Sequence, residues 1–218
     1  RYIAVARNLR NSGTGQVARL DTHTGRVEPI WEEAGLAACR VALDDTGDVV
    51  AAAFVPGCRR TSWHARSGDL SAKTRLWQRD FGARTLDLPA DVVSAELSPG
   101  GGLLAAGFSD GCTRLVTAGV EIETLDLCRG KKPVVEVIFS PDERWVLTFT
   151  DSEEAPPLVW DTGTGRLRAE LAHEAAVPTG VFSAEGTRFY SGGKNGRVQE
   201  WDTTAWTVIR ELERADYV

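Results

Sequence analysis

The sequence has no methionine, three histidines and four cysteines, and no uninterrupted apolar run approaches the roughly 18–20 residues that a membrane-crossing helix needs. Each scarcity narrows the function. His23, His64 and His173 stand in three separate parts of the chain with no pair at ligand spacing, so local sequence assembles neither a metal site nor a Ser-His-Asp arrangement. Cys39, Cys58, Cys112 and Cys128 are 19, 54 and 16 residues apart and form no CxxC pair, so they read as buried free thiols. A net charge of -6 argues against a surface that attracts nucleic acid, and the lack of a spanning segment argues against membrane embedding. Helical patterning is missing as well, because nowhere do apolar residues recur at i, i+3, i+4 and i+7 over about a dozen positions. The opening "RYIAVARNLR" has neither the order of a signal peptide nor a cleavage site. The chain is therefore expected to begin inside a longer gene and to work in the cytoplasm.

What the sequence does have is repetition. Four segments align: "VALDDTGDVVAAAF" (41–54), "AELSPGGGLLAAGF" (95–108), "VIFSPDERWVLTF" (137–149) and "GVFSAEGTRFYSG" (180–192). The apolar residues before their turns, Leu43, Leu97, Phe139 and Phe182, recur at spacings of 54, 42 and 43, a period with one insertion. A second motif repeats too, as "RLDTHTGRV" (19–27), "VWDTGTGRL" (159–167) and "EWDTTAWTV" (200–208). The runs between turns are short and rich in Val, Phe, Trp and Thr, and Gly, Asp and Pro punctuate them, which predicts four antiparallel strands per unit. Such a sheet of about 40 residues buries neither face alone, so each copy must stack on the next. In "VVAAAF" and "LLAAGF", alanine and glycine stand where neighbouring sheets would approach closely.

With these repeats the chain resembles the WD-repeat β-propellers, in a degenerate, bacterial-type form. The resemblance covers nearly all of the chain and is most specific in "LAHEAAVPTGVFSAEGTRFYSGGKNGRVQEWD" (171–202). It implies an all-β propeller of four-stranded antiparallel blades, four full and a partial first, over approximately 2–35 (partial), 38–89, 92–128, 133–171 and 176–213 of a single domain, 1–218. It also implies that His173, Ser191, Asn195 and Trp201 form a structural hydrogen-bonded chain that pins the last blade. Elsewhere the pattern lapses: Gln78 follows Trp77, and "LVTAGV" replaces the Trp-Asp pair in the third unit. The first unit lacks its innermost strand, so further blades are expected upstream; a closed five-bladed ring is the alternative.

Three motifs mimic catalytic or ligand sites and fail on context. "GFSDG" (107–111) fits a nucleophile elbow at Ser109, but strands flank it on both sides where the elbow needs a following helix. "GGKNG" (192–196) has the wrong glycine spacing for a phosphate loop, and "DDTGD" (44–48) lacks the downstream glutamate of a calcium loop, so both read as turns, the latter solvated. His23 reads as an exposed turn residue.

One segment exceeds a plain turn. The insertion "GCRRTSWHARSGDLSAKTR" (57–75) carries Arg59, Arg60 and Arg66 around Trp63 and His64. Strand alternation puts it on the same face as "CRGKKP", with Arg129, Lys131 and Lys132, and as the acidic "DSEEAPP" (151–157). Long loops on rigid scaffolds carry function, and basic, aromatic and acidic patches on one face suit a charge-steered contact. The expected function is a non-enzymatic scaffold or regulatory module without cofactor or metal, binding a protein or peptide through Arg59, Arg60, Trp63, His64, Arg66, Arg129, Lys131 and Lys132. The alternative is a propeller hydrolase or dehydrogenase, for which the inner strands supply only Glu96 and Glu136.

Overall fold

The computed structural model describes residues 2–9, 14–55, 73–79, 82–86, 88, 92–118 and 121–212. Among them there is no helix, and the strands form five antiparallel sheets. Sheet one holds β1 (Tyr2–Leu9), β2 (Thr14–Asp21) and β3 (Val27–Glu33). Sheet two holds β4 (Ala37–Leu43), β5 (Val49–Val55), β6 (Lys73–Gln78) and β7 (Gly82–Leu86). Sheet three holds β8 (Val92–Leu97), β9 (Leu103–Phe108), β10 (Cys112–Thr117) and β11 (Thr124–Cys128). Sheet four holds β12 (Val134–Phe139), β13 (Trp145–Thr150), β14 (Leu158–Asp161) and β15 (Leu167–Glu170). Sheet five holds β16 (Thr179–Phe182), β17 (Arg188–Gly192), β18 (Val198–Asp202) and β19 (Thr207–Leu212). Each sheet is a meander in chain order, and the first strands β4, β8, β12 and β16 touch in succession, so the inner edges converge.

The repeated turn sequences have a local cause. Between the first and second strands of sheets two to five, Asp44, Ser98, Ser140 and Ser183 each accept a hydrogen bond from the backbone N–H five residues on: Val49 (2.8 Å), Leu103 (3.1 Å), Trp145 (2.9 Å) and Arg188 (3.2 Å). Short polar side chains that cap their own turn favour the turn over a continued strand. Three residues after each cap the backbone is left-handed, at Gly47, Gly101, Glu143 and Gly186. Glu143 alone lacks the glycine freedom and takes a φ of 59°, while its carboxylate accepts the Gly100 N–H of sheet three. Asp44, expected in a solvated turn, is buried: its carboxylate is committed to Val49 N–H and the Thr46 hydroxyl, which the run of neighbouring charges conceals in the sequence.

The Asp-Thr repeat works the same way at the third-to-fourth turn. Asp21 Oδ1 accepts from His23 N (2.8 Å) and Thr24 N (3.1 Å), Asp161 Oδ1 from Thr164 N (2.8 Å) and the Thr164 hydroxyl (2.8 Å), and Asp202 Oδ1 from Thr204 N (2.9 Å) and Ala205 N (3.0 Å). These bonds hold all three carboxyls below the usual aspartate range: the His23 N–H leads for Asp21, the Thr164 hydroxyl for Asp161 and the Ala205 N–H for Asp202. Four residues after each aspartate comes a left-handed residue, Gly25, Gly165 and Trp206. Trp206 accepts that backbone (φ 58°) with its ring 5% exposed, against Trp145, Phe182 and Phe189.

The core lies between sheets. Ala42 and Ala51 pack with Leu76, Leu97, Leu104 and Val116 between sheets two and three. A side chain at Gly107 would put its Cβ 2.7 Å from Val134 of sheet four, so the backbone needs glycine for this close approach. Between sheets four and five the filling is aromatic: Trp145, Phe149, Phe189, Trp201 and Trp206. Sheets one and two are joined by the buried Arg19, whose guanidinium donates to Gly47 O and to Glu28 (2.5 Å) and stacks on Tyr2 (4.5 Å) and Trp77 (4.9 Å).

Cys112 and Cys128 correct the expectation of free thiols, because they form a disulfide across β10 and β11. The 16-residue gap spans one hairpin, so the first residue of β10 faces the last of β11 in register. Their Cα atoms lie 4.3 Å apart.

Candidate interaction face

Because strands alternate in direction, the second-to-third turns and the connections between sheets emerge together at one end of the fold. Arg59, Arg60, Trp63, His64 and Arg66 lie outside the described residues. The remaining loops are built from ion pairs between neighbours. Arg129, directly after β11, donates to Glu170 of β15; Lys132 lies 3.9 Å from Glu154; Lys194 Nζ lies 2.5 Å from Asp151. Arg197 Nη1 reaches Glu174 (2.8 Å) and Glu211 (2.9 Å). Lys131 is exposed.

Exposed pairs of this kind contribute about 0–1 kcal/mol each, so their stabilising effect is small. Their consequence is positional. They set acidic and basic groups in alternation from sheet three to sheet five, and Glu154 and Glu174 remain 85% and 73% exposed. Fixed charges in such a pattern steer an encounter and select its orientation. Sequence reading found the basic 129–132 segment and the acidic 151–157 loop but missed Glu170, Glu174, Lys194 and Arg197. Lys194 was visible inside "GGKNG", yet its partner Asp151 comes from another sheet and no local pattern joins them.

Of the four pinning residues, three come together. The Trp201 indole N–H donates to Ser191 Oγ (2.7 Å), and His173 Nε2 lies 2.6 Å from the same oxygen. Burial pushes His173 below the ordinary histidine range, against an opposing influence from Glu211, so the ring is neutral at pH 7. Asn195 has a different bond: its Oδ1 accepts from Arg197 N (3.2 Å) across its own turn, as Asp110 does from Cys112 N (2.9 Å) two copies earlier. Sheet four repeats the tryptophan bond with another hydroxyl, Trp160 N–H to Thr148 Oγ1 at 3.0 Å.

The two inner-strand glutamates lie along the converging edges. Glu96 of β8 accepts the Phe139 N–H of β12 at 2.8 Å. Burial raises its carboxyl to about 7, aided by the charges of Glu136 and Asp45 and opposed by the Phe139 hydrogen bond. Glu136 is raised by burial too, and the Thr179 hydroxyl counteracts this. Glu96 therefore joins two sheets through a backbone contact.

No family model matches the chain. It is 29% identical over 141 residues to transducin beta-like protein 3 of Bos taurus, covering 64% of this chain and 17% of that protein. It is 36% identical over 61 residues to the WD repeat, SAM and U-box domain-containing protein 1 of Danio rerio, covering 27% of this chain and 12% of that one. A chain in the crystal structure of the mitotic checkpoint complex superimposes with a TM-score of 0.71 over 98% of this chain and 60% of its own length, at 13% identity. The matched relatives are WD-repeat proteins, and the fold is a β-propeller. The expected fold class therefore holds, with four four-stranded blades and a three-stranded first one. The chain spans less than a fifth of either relative.

Proposed function

We propose that this chain is part of a longer WD-repeat protein and acts there, in the cytoplasm, as a non-enzymatic scaffold or regulatory module that docks a protein or peptide on its charged-loop face. WD-repeat relatives support a protein-interaction propeller, and propellers of this kind are typically non-enzymatic. The observation that carries the reading is the row of ion pairs from Arg129–Glu170 to Arg197–Glu174, which holds charges of both signs at one end of three consecutive blades. Trp63 in the long insertion supplies the apolar anchor, Arg59, Arg60 and Arg66 pair partner carboxylates with His64 beside them, and Lys131 extends the basic strip. The partner is then a segment combining acidic side chains with an apolar one, and neither nucleic acid nor membrane takes part.

The test is an array of acidic peptides of varied apolar content, probed with the wild-type chain and with Trp63→Ala/Arg60→Ala. Selective capture that the double variant loses, with thermal unfolding nearly unchanged, is the expected result. Equal capture by both proteins overturns the site.

A further inference from the structure

The hairpin that feeds the basic segment is closed by a covalent bond whose position suggests more than a staple. β11 is the outer strand of its sheet, hydrogen-bonded to β10 alone, and Leu127 is its one buried side chain. Its last residue, Cys128, is exposed, while Cys112 is partly covered. The adjoining turns press together, for a Cβ on Gly111 would lie 2.8 Å from the Gly130 carbonyl carbon. The disulfide thus ties the open end of the hairpin at the point where residues 129–132 depart toward the next blade. Arg129, Lys131 and Lys132 follow exposed Cys128 within four residues of chain, and positive charge near a disulfide favours the approach of an anionic thiolate.

We propose that Cys112–Cys128 is a thiol-exchange site that locks and releases the basic segment 129–132. The co-reactant is a small or protein thiol of the glutathione or dithiol class. Its thiolate attacks Cys128 Sγ, forming a mixed disulfide and expelling the Cys112 thiolate. A second thiol then attacks the incoming sulfur and releases the Cys128 thiolate. The two electrons come from the thiols, which leave as their own disulfide, and their two protons end on Cys112 and Cys128. Reduction frees the end of β11 and loosens Arg129 from Glu170; oxidation restores both. The consequence for docking rests on the proposed charged-loop face, whereas the exchange itself does not.

The test uses the whole chain, oxidised or treated with reduced glutathione or dithiothreitol, and the Cys112→Ser/Cys128→Ser variant. Alkylation with peptide mapping reads which thiols are free, and hydrogen exchange reads the backbone. Glutathione should open the pair in native buffer and speed amide exchange over residues 124–132 by roughly tenfold, leaving β12–β19 unchanged. The variant should exchange like the reduced protein under all conditions. A pair that resists glutathione, exchange at 124–132 that ignores reduction, or reduction that unfolds every sheet would each overturn the proposal. Peptide capture is scored separately: its absence in both redox states overturns the docking face and leaves the exchange result standing.

Discussion

Between sheets two and three the buried contact is made of Ala42, Ala51, leucines and valines, with no aromatic residue in the cluster. Between sheets four and five the same place in the repeat holds Trp145, Phe149, Phe189, Trp201 and Trp206. The strand pattern is common to both, so the filling differs while the frame does not. The difference extends to polar atoms. Trp201 and Trp160 find acceptors in Ser191 and Thr148, each two residues beyond the indole's cross-strand partner, Phe189 or Val146. By the same register the equivalent positions in sheets three and two are Ala106 and Ala52, which have no hydroxyl. Large rings bury more apolar surface and bring an N–H that costs free energy where, as at Trp206, it is buried without an acceptor; small residues bring the backbones close and need no such partner. One blade unit therefore tolerates two chemistries, provided each is consistent across its own interface.

That comparison can be broken most sharply at Phe189, which is fully buried and touches Phe149, Phe182 and Trp206. Phe189→Ala is expected to lower unfolding free energy by about 3–5 kcal/mol in urea titration, because the rings around it cannot close the space. A loss under about 1 kcal/mol would mean that the aromatic interface is not the tighter one.

Glu96 tests the junction between sheets three and four. Its folded-state value of about 7 exceeds the ordinary 4.5. Its stabilising contribution is therefore complete below about 4.5 and is lost as pH rises through about 7. Glu96→Gln keeps an acceptor for Phe139 N–H and removes the charge. It should flatten the stability profile in that window and stabilise the protein at pH 8 by at most about 3 kcal/mol. Parallel profiles for the two proteins would show that Glu96 does not titrate in this range.

A smaller effect separates the polar pin from the packing around it. Ser191→Ala leaves the Trp201 N–H and His173 without their shared oxygen and should cost about 1–2 kcal/mol in thermal unfolding. Ser191→Thr should recover most of that, since Thr148 already performs the same task in sheet four. If both variants behave alike, the hydroxyl contributes nothing.

These contrasts also mark what the sequence discloses. The capping residues Ser98, Ser140 and Ser183 act within six residues of chain, so the period, the turns and the strand order could be read directly. The alanines of "VVAAAF" and "LLAAGF" announced close packing for the same reason. Cys112 and Cys128 could not be paired without the register of β10 on β11. Asp44 read as solvated because its neighbours are charged, although its own oxygens are turned inward. The ion pairs of the charged face cross from sheet to sheet, as Lys194 to Asp151 does, and only the stacked fold brings them together. Trp206 is the least legible: nothing local marks a tryptophan in a position that Gly25 and Gly165 hold in the other copies.

Native-state hydrogen exchange over the whole chain tests the central claim most directly, since stacked blades need not open as one unit. The slowest amides should lie in β13, β14, β17 and β18, with protection falling toward β1–β3. Uniform protection, or the slowest exchange in β4–β6, would contradict the account.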